Sequence, residues 1–123
     1  MAKTKEQALY EFWSSFGLPA YDEQTVPSTA VLPYITYNVV DDKWDRPVLM
    51  HGNLYYRSTK WTDIDAKKNE IAQFLEGFVT YKLDNGWVWM VQGSPFAQRM
   101  NDPNDDQIRR IYINIQAEFL TNI

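Results

Sequence analysis

The run from Arg109 to Leu120 constrains the fold more than any other stretch, because apolar residues occupy every second position. These positions are Ile111, Ile113, Ile115, Ala117 and Phe119. Successive side chains of a β-strand point to opposite faces, and a helix cannot place this alternation on one side. We therefore predict a strand whose apolar stripe lies on the core and whose polar stripe faces solvent or another protein.

Two helices are predicted upstream of this strand. The first runs from about Lys5 to Phe16, where Thr4 and Gln7 have the spacing of a capping box. The second runs from Asp63 to Glu76 and follows Thr62, which we predict to be its N-cap. Both segments carry an apolar stripe at helical spacing, so both helices are expected to pack on the sheet.

Shorter strands and two long loops are predicted for the rest of the chain. The strands cover residues 32–40, 48–60, 78–83 and 87–92, and the loops cover residues 17–32 and 93–107. Asn85 and Gly86 supply the turn of a tight hairpin between the third and fourth of these strands. The sequence therefore predicts one α+β domain over residues 1–123, with a single, mostly antiparallel sheet of about five strands and two helices packed on one face.

Composition excludes several classes of protein. The chain has no cysteine, so neither a disulfide nor a cysteine zinc site is possible. We expect a soluble, intracellular protein without membrane contact, because the N-terminal segment does not resemble a signal peptide and no apolar run approaches the roughly 18 residues of a membrane helix. The formal charge of −4, from 12 basic and 16 acidic residues, argues against a domain that reads nucleic-acid sequence.

Residues that could carry chemistry are few. His51 is the only histidine, and no nucleophile or acid is placed to form a catalytic triad with it, so we expect neither an enzyme nor a cofactor. Residues 102–106 alternate Asp and Asn as calcium loops do, but they lack the glycine and the final glutamate of an EF-hand. We interpret this segment as a turn and expect no metal site.

Opposite charges flank this acidic segment, and they suggest a contact between subunits. Arginines precede and follow a run of aspartates, an arrangement by which one exposed segment can form a head-to-tail contact with a second copy. Trp44, in the polar turn after the first predicted strand, is included in the candidate interface because tryptophan is enriched at interfaces. The candidate interface comprises Arg99, Asp102, Asp105, Asp106, Arg109, Arg110 and Trp44.

Four segments carry a resemblance to a known family. They are Leu9–Trp13, Leu32–Tyr37, Leu54–Thr59 with Trp61, and Pro95–Tyr112. In these segments the chain resembles a family of small tail proteins encoded in the head-tail module of siphophages and prophages of Gram-positive bacteria. Members are often labelled minor capsid or tail completion proteins, and in fold they are similar to the tail terminators of lambda-type phages.

The resemblance implies a structural protein rather than an enzyme. It implies a ring, typically a hexamer of this chain, that caps the tail tube and contacts the head-tail connector protein. The protein would assemble in the host cytoplasm and remain in the virion at the head-tail junction. Six copies would carry six times the formal charge of −4, so DNA would pass through such a ring without sequence-specific binding.

Two alternative functions stay open from the sequence. A head-side connector or stopper protein also forms rings beside the tail end, and the sequence does not separate it from a tail terminator. The other alternative is a small ligand-binding or enzymatic α/β domain that uses the segment Trp87-Val88-Trp89-Met90 as the wall of a pocket.

Overall fold

The structure, a computed structural model, describes residues 3–41, 46–100 and 105–121. Within these ranges the chain has an α+β fold of two helices and six strands. In chain order they are α1 (Lys5–Ser14), β1 (Ala20–Asp22), β2 (Tyr34–Tyr37), β3 (Pro47–Arg57), α2 (Thr62–Phe74), β4 (Val79–Leu83), β5 (Gly86–Met100) and β6 (Ile108–Thr121).

All six strands belong to one curled sheet with the order β1-β2-β3-β6-β5-β4. The β1–β2 pair is parallel and the other four pairs are antiparallel. The prediction of a single, mostly antiparallel sheet of about five strands was therefore wrong: the sheet has six strands, is mixed, and curls into a half-barrel. The α+β class itself is confirmed.

The alternating segment forms the central strand β6, as predicted. Its apolar stripe is buried in full: Ile111, Ile113, Ile115, Ala117 and Phe119. The residues between them lie on the opposite face, which we call the outer face, and are partly or fully exposed. Because β3 and β5 both pair with β6 over most of its length, this one strand sets which residues of its neighbours enter the core.

Both helices cover the buried face of the sheet. The predicted capping box of α1 is confirmed: Gln7 N donates to Thr4 Oγ1 at 3.1 Å, and Thr4 N donates to Gln7 Oε1 at 2.9 Å. The ring centres of Phe12 in α1 and Phe74 in α2 lie 6.0 Å apart, so the two helices touch each other above the sheet. Neither helix of the described residues combines the length and the apolar character that crossing a membrane requires.

The start of α2 differs from the prediction. Thr62 is the first helical residue, and Trp61 occupies the N-cap without a side-chain hydrogen bond to the helix. Asp65 has its carboxylate bonded to Arg99 Nη2 at 2.7 Å, in place of a capping interaction. The tertiary contact with β5 therefore replaces the local cap that the sequence pattern favoured.

Parts of both predicted loops are strands. Residues 20–22 pair in parallel with β2, although three residues are too few to show a period. Residues 93–100 extend β5 past a register shift between Gln92 and Ala97. Gly93 and Pro95 lie inside this shift, where strands tolerate glycine and proline, so these two residues do not end the strand.

A close contact between α1 and β3 sets how near the helix lies to the sheet. Trp13 is fully buried, and its ring stacks on Tyr37 with 6.3 Å between ring centres. A Cβ atom built on Gly52 would lie 2.6 Å from Trp13 Cη2, closer than real atoms approach. The indole therefore occupies the space that any larger residue at position 52 would need.

The first prediction tests the two faces of β6. Replacing Ile113 with Asp would bury a carboxylate without a partner, so we expect loss of cooperative unfolding in urea and loss of near-ultraviolet circular dichroism. The same substitution at Gln116, which lies exposed on the outer face, is the control and should leave both signals in place. Native behaviour of Ile113→Asp would contradict the assignment of the buried face.

The second prediction tests the contact between Trp13 and Gly52. Gly52→Ala should lower the free energy of unfolding by about 1–3 kcal/mol, because the methyl group overlaps the indole. In a Trp13→Phe background the benzo ring of the indole is absent, so Gly52→Ala should lower the free energy of unfolding much less. A double-mutant cycle from urea unfolding measures this difference, and strictly additive costs would show that the two residues do not interact.

Candidate functional site

The described residues of the predicted interface lie at one end of the sheet, where β5 ends and β6 begins. They are Arg99, Asp105, Asp106, Arg109 and Arg110. Trp44 and Asp102, the other two members of the predicted interface, lie outside the described residues. The structure divides the arginines between the two faces of the sheet, and their part in an interface stays a prediction.

Arg99 and Arg109 lie on the buried side, where both meet Trp61. Their guanidinium carbons are 4.5 Å and 5.4 Å from the centre of the Trp61 ring. Arg109 also donates to the carbonyl of Thr59 at 2.7 Å, and Arg99 donates to the carboxylate of Asp65. Because both cations have partners within the chain, this arginine–tryptophan cluster serves to hold the start of α2 against the sheet.

A cavity of about 450 Å³ lies beside the arginine–tryptophan cluster, between α2 and β5. Asp65 and Arg99 line it and form an ion pair with each other, while Phe96 and Ile111 contribute apolar wall. Since the two charged groups of opposite sign already neutralise each other, this cavity has no free charge from that pair to offer a ligand.

Asp105 is held by its own neighbours and by β3. Gln107 N donates to Asp105 Oδ1 at 2.8 Å, and Arg57 Nη1 lies 3.2 Å from Asp105 Oδ2. The backbone hydrogen bond from Gln107, and then Arg57, lower the pKa of the Asp105 carboxyl from its ordinary value. The carboxylate of Asp105 therefore stabilises the turn before β6 and pairs with Arg57 rather than with the arginines that follow it in sequence.

Arg110 lies on the outer face, opposite Arg109, because adjacent residues of a strand alternate. The prediction that both arginines belong to one interface stays a prediction, with the two side chains on opposite faces of the sheet. Arg110 Nε donates to Asn53 Oδ1 at 2.8 Å, and its guanidinium lies over the Tyr55 ring, 5.7 Å from the ring centre. Two contacts thus fix the direction of this side chain.

Tyrosines continue from Arg110 across the outer face. The ring centres of Tyr55 and Tyr34 are 5.4 Å apart, and those of Tyr34 and Tyr21 are 5.6 Å apart. Burial, followed by the neighbouring Tyr55 and Tyr21, raises the pKa of the Tyr34 phenol. A cavity of about 410 Å³, which we call the tyrosine cavity, is lined among others by Glu23, Tyr34, Thr36, Asn53, Tyr55 and Arg110.

His51 lies next to the tyrosine cavity on the same face, as the alternation of β3 predicts. Its Nε2 is 3.0 Å from Glu23 Oε2, and its ring stacks on Tyr112 with 5.1 Å between ring centres. Over residues 3–41, 46–100 and 105–121, no three His, Cys, Asp or Glu side chains group closely enough to hold a metal ion. The imidazole here joins the loop after β1 to the middle of the sheet.

Apolar side chains are exposed at the other edge of the outer face. Leu49 is 64% exposed, Phe78 59% and Trp87 46%. Partly exposed neighbours join them on β5 and β6, and we define the tryptophan surface as Leu49, Phe78, Trp87, Trp89, Val91 and Leu120. Val88 and Met90 point the other way and are fully buried, so the proposed pocket wall of residues 87–90 is divided between surface and core.

The outer face thus carries two different surfaces at separate places on one sheet. The sequence pattern identified the aromatic residues of β5, but it did not predict the tyrosine cavity, because the lining residue Glu23 is placed there by the unpredicted strand β1 that precedes it. The sequence matches no protein-family model and no curated protein. Any function must therefore be argued from these surfaces and from the resemblance of the sequence motifs.

The third prediction separates the two roles of the arginines. Arg109→Ala should lower the free energy of unfolding by about 2 kcal/mol, because the Thr59 and Asp106 carbonyls lose a charged donor and Trp61 loses a packed guanidinium. Arg57→Ala, an exposed arginine in a surface ion pair, should change it by less than about 0.5 kcal/mol. Equal effects in urea unfolding would contradict a structural role for Arg109.

Proposed function

We propose that this chain is a structural subunit of a phage tail, a tail terminator or tail completion protein. In this proposal copies of the chain form a ring, with six as the expected number, that caps the tail tube and joins it to the head connector. The resemblance of the sequence motifs suggests the family. The observation that carries the proposal is the tryptophan surface, which remains exposed although its side chains are large and apolar.

The chemistry of the tryptophan surface is that of a protein contact. Monomeric proteins seldom expose several large apolar side chains side by side, and tryptophan and phenylalanine are enriched at interfaces. Trp87, Trp89 and Val91 follow one another on the same face of β5, and Phe78 packs on Trp89 with 5.7 Å between ring centres. Lys82 Nζ lies 5.1 Å from the centre of the Trp87 ring, at the border of the apolar area. An apolar centre with charge at its border is the usual anatomy of a subunit contact.

The position of the second surface also supports a ring. Head-to-tail rings need two different surfaces on each subunit, whereas a two-fold dimer needs only one that is complementary to itself. Most of the tryptophan surface lies on β5 and just before β4, with Leu49 on β3 and Leu120 on β6. The tyrosine cavity is lined from β2, the loop after β1 and the other end of β3, with Arg110 of β6. Two chemically different surfaces at separate places on one face meet the requirement for repeated contacts of one kind.

The fourth prediction tests the tryptophan surface in assembly. Leu49→Asp should keep the native near-ultraviolet circular dichroism, because Leu49 is exposed, but it should prevent ring formation on purified tail tubes. Tails assembled with this variant should have uncontrolled length in electron micrographs. Val31→Asp is the matched control, since Val31 is 76% exposed and lies outside the tryptophan surface, and it should support tails of normal length.

The outcomes separate the proposal from its rival. Normal tails with Leu49→Asp would remove the tryptophan surface from the contact. Wild-type protein that binds DNA-filled heads and ignores tail tubes would support a head-side connector or stopper instead. Because some ring subunits assemble only on their partner, the measurement uses the tubes themselves and not the isolated protein in solution.

A further inference from the structure

Arg110 lies in the wall of the tyrosine cavity and is only partly paired by the described residues. In the part of the chain that the structure describes, the Arg110 side chain has one hydrogen bond, from Nε to Asn53, and no carboxylate within ion-pair distance. The N–H groups of its Nη1 and Nη2 atoms donate to none of the described residues. The Asn53 and Tyr55 contacts hold the guanidinium in one orientation. A fixed guanidinium with two free nitrogens is arranged for a planar acceptor.

We propose that the tyrosine cavity binds the carboxylate of an Asp or Glu side chain presented by an extended segment of a partner protein. The site goes beyond the ring proposed above, because it depends on the acidic side chain and not on which protein supplies it. Arg110 supplies the bidentate contact, and the Thr36 hydroxyl and the Asn53 amide add donors in the same wall.

The charges around the cavity favour a ligand with a single negative charge. Arg110 is the only basic residue in its wall among the described residues, and Glu23 lies in that wall with its carboxylate next to His51. Glu23 repels any anion, but the single guanidinium neutralises a carboxylate in full and would leave one charge of a dianionic phosphate unpaired. The balance of charge therefore selects a carboxylate rather than a phosphate.

The aromatic residues favour an extended peptide over a free small acid. Arg110, Tyr55 and Tyr34 occupy one cross-strand row on β6, β3 and β2. Tyr21 on β1 pairs with Thr36, and its ring reaches the Tyr34 ring diagonally, with 5.6 Å between ring centres. Three strand spacings of about 4.8 Å, from β6 to β1, give a path of roughly 14 Å, the length of about four extended residues. Tyrosine rings along that path would pack on the residues beside the acid, as they do in many peptide contacts.

The test is a titration of the full-length chain, labelled with ¹⁵N, with two capped peptides. The probe is acetyl-Ala-Glu-Ala-Ala-amide, and the control is the same peptide with Gln in place of Glu, which has the same shape and no charge. We expect saturable shifts of the Asn53 side-chain amide and of the Thr36 and Tyr55 backbone amides with the Glu peptide. The Gln peptide should bind at least about tenfold more weakly, since it lacks the charge that Arg110 pairs with.

Two variants connect the effect to Arg110. Arg110→Gln should weaken binding of the Glu peptide by at least about tenfold, to the affinity of the Gln peptide for the wild-type chain. Arg99→Gln removes the same charge from the other face of the sheet and should leave the titration unchanged. Should Arg110→Gln fail to fold, the two peptides on the wild-type chain still decide the question.

Three results would overturn the proposal. Equal binding of the Glu and Gln peptides would show that the charge is not recognised. Unchanged binding by a folded Arg110→Gln variant would remove the arginine from the site. Inorganic phosphate that displaces the peptide at lower concentration than the peptide itself binds would assign the cavity to phosphate groups. None of these results bears on the tryptophan surface, whose part in ring assembly is judged by the experiment with Leu49→Asp.

Discussion

The contact of Trp13 with Gly52 is the constraint on which the rest of the structure depends. The indole enters the sheet at the one position of β3 without a side chain, so α1 approaches the strand more closely than any other residue would allow. Phe12 of α1, and Phe16 just after its end, then meet Phe74 of α2, which joins the two helices into one layer. Because that layer covers most of one side of the sheet, the other side is left to interact with solvent or partners.

The central strand β6 gives neighbouring residues different chemical surroundings on the two faces of the sheet. Each residue of β6 belongs to one face only, so Arg109 and Arg110 have different surroundings although they are adjacent in sequence. Arg109 and Arg99 pack on Trp61 and hold α2, which is a structural use of charge. Arg110 is held by Asn53 and Tyr55, and among the described residues its terminal nitrogens donate to no other group, which is the basis of the binding proposal. A mutation at either position thus reports on a different property of the protein.

The sequence predicted those parts of the fold whose pattern is long or local. The period of β6 extends over many residues, and the Thr4–Gln7 capping box depends only on neighbours, so both were predicted correctly. Strand β1 has three residues and a parallel partner, and neither feature leaves a local pattern. Gly93 and Pro95 are typical loop residues in a sequence. They fit inside β5 only because its register with β6 shifts there, and the sequence does not show that shift. The candidate interface was found as a set of charges, but the tyrosine cavity requires β1 beside β2 and was not predictable without that pairing.

The short parallel edge of the sheet also limits how copies of the chain can join. A three-residue strand offers few backbone groups to an additional strand, so extension of the sheet from β1 into a neighbouring molecule gains little. Copies would then meet through side chains, and the angle between successive copies would follow from the curl of the sheet and not from a continuous ladder of backbone hydrogen bonds. Contacts of this kind end in a ring only if the rotation from one copy to the next completes a circle, whereas growth along strand edges has no natural end.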